Sequence, residues 1–262
     1  MSRLAPAVVL IALTLGGAAF AENALSLNAG NVGAPGSNET GELTLPHGEA
    51  PPYPAVIVLH GCNGISPHVR KVAARLARWG YAALVVDSLR PRGLKNVCSH
   101  GRDLPAGRRV ADVFAAADYL RSRKDIDPDH IGALGISHGA WTVLYAATAS
   151  TVVRENARPL QAIVAYYPRC FPHPPPFTTD VEIFIGSADD WTPASRCADM
   201  LANYPKTAAH RPLLKIYPGA THAFDSSPRK LVYFGHHLQP DPSATRDSIA
   251  LTRKFLDARL HH

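Results

Sequence analysis

The strongest constraint on this chain is a series of short runs that are apolar at every position, separated by stretches with helical spacing. Ala55-Val56-Ile57-Val58-Leu59 is the clearest, with proline before it and His60-Gly61 after it. Ala82 to Val86, Ile131 to Ile136 and Ala162 to Ala165 repeat the theme, and Val181 to Ile185 and Leu213 to Tyr217 do so with one charged residue each, Glu182 and Lys215. A strand with one wet face alternates polar and apolar residues, so continuous runs predict strands covered on both sides, as in a parallel sheet. The covering helices are legible between them. Val69 to Trp79 puts Val72, Leu76 and Trp79 on one face, and Gly80 ends it. Val110, Val113, Phe114, Ala117 and Leu120 form a second stripe, followed by a turn at Asp127-Pro128. A small-residue helix is expected from Gly139 to Ala149, and a last one from Ser243 to Leu260. This alternation predicts one α/β domain over residues 41–262, with a mostly parallel central sheet and helices on both faces. No internal repeat or linker interrupts it.

The N-terminus reads differently. Arg3 precedes a nearly unbroken apolar run from Leu4 to Phe20, and Ala19-Phe20-Ala21 offers a small-x-small cleavage pattern. Residues 1–21 are read as a signal peptide cut after Ala21, which implies a periplasmic or secreted protein. A membrane anchor is the competing reading, but about 17 apolar residues are marginal for a span. Residues 22–40 are polar and glycine-rich and read as an irregular lead-in, with extended pieces near Glu42 to Leu45.

Composition excludes several classes. At 46% hydrophobic and 18% charged residues, the chain is not disordered. Its 27 basic and 21 acidic residues give a mild excess, with no run longer than Arg108-Arg109, so nucleic acid is not an expected partner. The four cysteines, Cys62, Cys98, Cys170 and Cys197, suggest two disulfides in an oxidising compartment. Spacing alone allows three pairings, and none resembles a zinc ribbon.

Reactive groups in such a fold belong at the carboxyl ends of the strands. Gly135-Ile136-Ser137-His138-Gly139 stands there, between a strand and a helix. A G-x-S-x-G in that context is a tight turn that lifts a serine hydroxyl clear of the sheet. Asp189 and Asp190 follow the strand at Val181 to Ile185, and His222 follows the strand at Leu213 to Tyr217. Serine, acid and histidine in this order suit nucleophilic acyl transfer, with the acid fixing the imidazole tautomer. Asp189 and Asp190 compete for the acid role. An oxyanion hole would use the backbone N–H of His138 and one from the loop His60-Gly61-Cys62-Asn63-Gly64, with Cys62 preferred over Gly61. Pocket walls are expected from the loops near Arg90 to Arg102, Phe171 to Phe177 and Ser226 to Pro240, with a plain connector as the competing reading for Phe171 to Phe177.

Together, LHGCNG, GYAALVVDSLRPRG, GISHG, YYPRC, GSADDWTP and PGATHAFD resemble the dienelactone hydrolase family of α/β-hydrolases, from about Val56 to Phe224. The resemblance implies an α/β-hydrolase fold and cleavage of carboxylic esters or lactones through an acyl-enzyme, without metal or organic cofactor. Family members carry the acid in a G-x-x-D-x-x-x-P turn, which Gly186, Asp189 and Pro193 match, so the resemblance favours Asp189. His222 matches the G-A-x-H-x-F turn. The departures are equally informative. Dienelactone hydrolase proper uses a cysteine nucleophile where Ser137 stands, and a glutamate near the place of Gly61. The family's carboxylate-binding arginine has loose counterparts in Arg90 and Arg92, for which a solvated loop residue is the competing reading. Within this frame Cys62 can pair with Cys98, and Cys170 with Cys197. An exported, monomeric serine ester hydrolase acting on a small molecule is the expectation.

Two other readings use the same residues. The triad could serve a peptidase or amidase, or the fold could carry a non-catalytic binding protein. A metal-binding reading drawn from 13 histidines and His236-His237 lacks any H-E-x-x-H helix or paired-cysteine spacing.

Overall fold

The computed structural model describes residues 23–28 and 38–261, so the expected signal peptide lies outside the described residues. The sheet begins earlier than the sequence suggests. The expected irregular lead-in contributes β1 (Asn23–Asn28) and the start of β2 (Asn38–Thr44), paired antiparallel with Asn23 opposite Leu43. Leu25 and Leu27 alternate with Ser26 and Asn28, the two-residue period of a strand, within a polar and glycine-rich context that hides it.

Six further strands complete the sheet. These are β3 (Tyr53–Leu59), β4 (Ala82–Asp87), β5 (Ile126–Ile136), β6 (Ala162–Tyr166), β7 (Asp180–Gly186) and β8 (Leu213–Tyr217). Their spatial order is β1-β2-β4-β3-β5-β6-β7-β8, parallel from β4 to β8. All six runs become strands, including the two that carry Glu182 and Lys215. Those of β3, β4 and β6 are buried along their length, whereas β8 is an edge strand and leaves Leu213 exposed. β5 starts at Ile126, through the expected Asp127-Pro128 turn, and its register against β3 shifts between Tyr53 and Ala55.

Helices cover both faces. α1 (Pro67–Arg78) starts at Ser66, whose hydroxyl caps the N–H of Val69, and buries Val69, Val72 and Leu76. α2 (Val110–Arg121) packs on α3 (His138–Ala146) against β3 and β5. The helix expected from Gly139 to Ala149 stops at Ala146, because Thr148 turns extended and bridges Phe177. A separate short α4 (Ala149–Arg154) then begins. After α5 (Ala194–Ala202) and β8, the hairpin β9 (Leu231–Tyr233) and β10 (His236–Leu238) precedes α6 (Pro242–Leu260). α1 and α6 share the sheet face presented by Leu134, Ile136 and Tyr166. This architecture brings His60, Ser137, Tyr167, Asp189 and His222 to one edge, beyond the carboxyl ends of β3, β5, β6, β7 and β8.

Candidate active site

Ser137 sits between β5 and α3 with φ 52° and ψ −113°, a backbone conformation that L residues rarely adopt. The turn closes because Gly135 and Gly139 lack side chains. A Cβ on Gly139 would collide with the carbonyl oxygens of Leu59 and His60, and one on Gly135 with the backbone of Gly139 and Ala140. The serine N–H donates to Tyr166 O at 2.9 Å, tying the turn to the neighbouring strand.

The turn presents Ser137 Oγ 2.9 Å from Nε2 of His222, which stands in the loop after β8. His222 Nδ1 lies 2.8 Å from Asp189 Oδ2. Asp189 is held on its other side by the backbone N–H groups of Trp191 and Thr192, at 2.9 and 2.7 Å to Oδ1. Both oxygens of this buried carboxylate are therefore engaged. The structure thus brings Ser137, His222 and Asp189 together in one line of hydrogen bonds. Thr192 and Tyr167 belong to the same cluster, although the sequence reading does not single them out. The Thr192 hydroxyl reaches Asp189 Oδ2, Tyr167 O and His222 Nδ1 at 2.9, 3.1 and 3.2 Å. Its local signal is the D-x-x-T turn, in which an aspartate commonly accepts from following N–H groups. The Tyr167 ring packs edge-on to the imidazole, 4.6 Å between centroids.

Asp190 faces elsewhere. It neither meets His222 nor caps α5, whose N-cap is Pro193 without a side-chain hydrogen bond. It accepts from the backbone N–H of His237 and lies 2.7 Å from His237 Nδ1, so it anchors the β9–β10 hairpin. Trp191 stacks on His236 of that hairpin, 4.5 Å apart, and stands 5.1 Å from the His222 ring.

Opposite the serine, the loop after β3 passes close enough that a Cβ on Gly61 would stand 3.6 Å from Ser137 Cβ. Cys62 in this loop is bonded to Cys98, and Cys170 is bonded to Cys197, with S–S distances of 2.08 and 2.06 Å. His60 holds the loop's base. Its Nδ1 lies 2.7 Å from Gly61 O, and its Nε2 accepts from Ser88 N–H at 3.2 Å. Burial, reinforced by the charge of Arg109, brings this imidazole down to about 3, so it is neutral and has one fixed tautomer. His138 is the first residue of α3, so its N–H has no carbonyl partner within the helix.

A sequence profile described as the dienelactone hydrolase family matches residues 41–260. The chain belongs to the dienelactone hydrolase family. As a member it is a hydrolase acting on ester bonds. It is 28% identical over 187 residues to a probable 2-oxo-3-(5-oxofuran-2-ylidene)propanoate lactonase of Bradyrhizobium, covering 65% of this chain and 73% of the relative. The structure of a dienelactone hydrolase-like promiscuous phosphotriesterase from metagenomic libraries superposes with a TM-score of 0.73 at 20% identity, over 90% of this chain and 98% of that one. The dienelactone hydrolase of Anabaena variabilis gives 0.63 at 23% identity, over 92% and 98%. These likenesses establish the α/β-hydrolase fold.

In this family member, two cavities meet at the serine. One, about 690 Å³, is lined by Ser137, His222, Tyr167, Leu231, Tyr233 and Leu238 among others. The other, about 480 Å³, is lined by Ser137, His138, Trp141, Arg169 and Arg196 among others. Of the three loops expected as walls, two contribute: Val97 and Cys98 line the smaller cavity, Ser226 to Leu238 the larger. Phe171 to Phe177 does not. Its Phe171 stacks on Tyr145 and the Phe177 N–H donates to Tyr204, so it is a connector. Arg90 and Arg92 line neither cavity. Arg90 pairs with Asp87, and Arg92 is not solvated but bound to Asp112 at 2.7 Å. Among the described residues no group of three or more His, Cys, Asp or Glu could hold a metal, and no helix is long and apolar enough to cross a membrane.

Proposed function

We propose that this protein is an exported serine hydrolase of small carboxylic esters or lactones, built as one α/β-hydrolase domain that takes in β1 as well as residues 41–262. The observation that carries the reading is the line of hydrogen bonds from Ser137 Oγ through both ring nitrogens of His222 to Asp189, open to two cavities. In this scheme Ser137 Oγ attacks the carbonyl carbon while His222 Nε2 takes its proton, and Asp189 keeps the imidazole in the required tautomer. The N–H groups of Cys62 and His138 stabilise the tetrahedral oxyanion. The same imidazole then protonates the departing alkoxide, and water releases the acyl group. No step calls for a metal or an organic cofactor.

Export rests on the leader pattern of residues 1–21, with a cut after Ala21, and on two disulfides of a kind that persist in a periplasm or outside the cell. The lactonase among the relatives favours esters and lactones over amides. The protein acts as a monomer in this reading.

The test is hydrolysis of p-nitrophenyl esters from acetate to octanoate by the mature protein and by Ser137→Ala. A burst of nitrophenol, lost with the serine, is expected. Absence of turnover together with no labelling of Ser137 by a fluorophosphonate would overturn the reading.

A further inference from the structure

Arg109 heads the large, fully buried side chains among the described residues. It stands at the start of α2, beneath the serine turn, and one nitrogen makes both of its hydrogen-bond contacts. Nη1 donates to the carbonyl oxygen of His60 at 3.1 Å and lies 2.9 Å from Nδ1 of His138. Nε and Nη2 have no hydrogen-bond partner among the described residues. A buried guanidinium with most of its donors unmatched costs the folded state stability, so packing alone does not account for it.

What its contacts join accounts for it better. His60 immediately precedes Gly61 and Cys62, the loop that faces Ser137. His138 follows the serine and opens α3. The two segments come from different strands, and the single nitrogen of Arg109 bridges them. We propose that Arg109 is a positioning residue that sets the spacing of the two oxyanion donors, Cys62 N–H and His138 N–H, and adds a fixed positive charge behind them. This rests on the serine-hydrolase reading above.

The chemistry follows from preorganisation. Donors aimed at charge that develops only in the transition state must already be in place, since reorientation at that moment raises the barrier. The positive charge acts in a site that excludes water, where it is weakly screened. Asp112 lies near enough to support the guanidinium, whereas burial draws Arg109 down to about 10, still cationic at neutral pH. The same charge helps keep His138 neutral, held at about 3 chiefly by burial, so Nδ1 stays an acceptor for Arg109.

The test compares the mature protein with Arg109→Lys and Arg109→Met, with fluorophosphonate titration counting the active sites that fold. Per titrated site, Arg109→Met is expected to lose about 10²-fold in kcat with KM little changed, the size of one lost oxyanion donor. Affinity for a trifluoromethyl ketone, which forms a tetrahedral adduct, should fall in parallel. Arg109→Lys should recover part of both, because an ammonium restores the charge without the fork. An unchanged kcat per titrated site in Arg109→Met overturns the proposal, since Arg109 then only supports folding. If Arg109→Met does not fold, the same comparison is read on Arg109→Lys. Failure of the titrant to label the unmodified protein would instead overturn the underlying serine-hydrolase reading.

Discussion

Asp190 and His237 are joined twice, through the backbone N–H of the histidine at 3.1 Å and through its Nδ1 at 2.7 Å. The carboxylate next to it in the chain, Asp189, is instead buried against His222. Two adjacent acids of one turn thus serve two histidines with different tasks. One lies in the serine line, and the other holds the β9–β10 hairpin that walls the larger cavity.

This division predicts unequal effects of removing each charge. Asp189→Asn should lower kcat by about 10³-fold or more, because an amide stabilises the wrong imidazole tautomer. Asp190→Asn should leave kcat near the unmodified value and raise KM, since it loosens a wall of the cleft. Steady-state kinetics on p-nitrophenyl butyrate separate the two. Equal losses in kcat would assign the acid role differently.

The strained serine predicts a trade of activity for stability. Ser137 holds φ 52°, which costs a non-glycine residue on the order of 1 kcal/mol. Ser137→Gly should melt at higher temperature than the unmodified protein, whereas Ser137→Ala keeps the strain and should gain little. Differential scanning calorimetry of both variants tests this. A glycine variant no more stable than the alanine variant contradicts it.

The second disulfide predicts a purely structural loss. Cys170–Cys197 closes a loop of 27 residues away from the loop after β3, and such a cross-link is worth about 3–4 kcal/mol through the unfolded chain. The double variant Cys170→Ala, Cys197→Ala should unfold at lower urea while keeping kcat. The corresponding pair at Cys62 and Cys98 should lose both, because Cys62 lies in the loop beside Ser137. Urea titration and initial rates on the two double variants distinguish them.

Glu182 predicts a pH dependence of stability. It is buried in β7, its Oε2 finds no hydrogen-bond partner among the described residues, and burial raises its carboxyl to about 7. Below pH about 4.5 the group is protonated in both folded and unfolded chains and costs nothing. As pH rises toward 7 the unfolded chain releases the proton first, so stability falls, by up to about 3 kcal/mol. Glu182→Gln should therefore gain on the unmodified protein between pH 4.5 and 8, as read from urea midpoints. A constant difference across that range would show that Glu182 does not retain its proton.

The parts of this fold that the sequence discloses are those where one chemical requirement acts locally. Strands buried on both faces favour apolar residues at nearly every position, Glu182 of β7 being an exception, and the serine turn needs glycines where Gly135 and Gly139 stand. The serine, the acid turn and the histidine are likewise each announced by neighbours a few residues away. What stays hidden depends on partners far along the chain. The hairpin strands Leu231–Tyr233 and His236–Leu238 are three residues each, too short to set up a periodicity, and an acid 47 residues earlier helps hold them. Arg92 reads as a loop residue until Asp112 stands beside it. Arg109 is hidden for the opposite reason: arginine is among the residues least often buried, and only the folded neighbourhood supplies a motive for placing it inside.

The two cavities that meet at Ser137 have few residues in common, chiefly Cys62, Ser137 and Trp191. A molecule spanning them would meet separate sets of side chains at either end, one including Tyr167, Leu231, Tyr233 and Leu238, the other Trp141, Arg169 and Arg196. If the serine-hydrolase reading holds, selection can retune one end without disturbing the other, with Ser137 as the shared pivot.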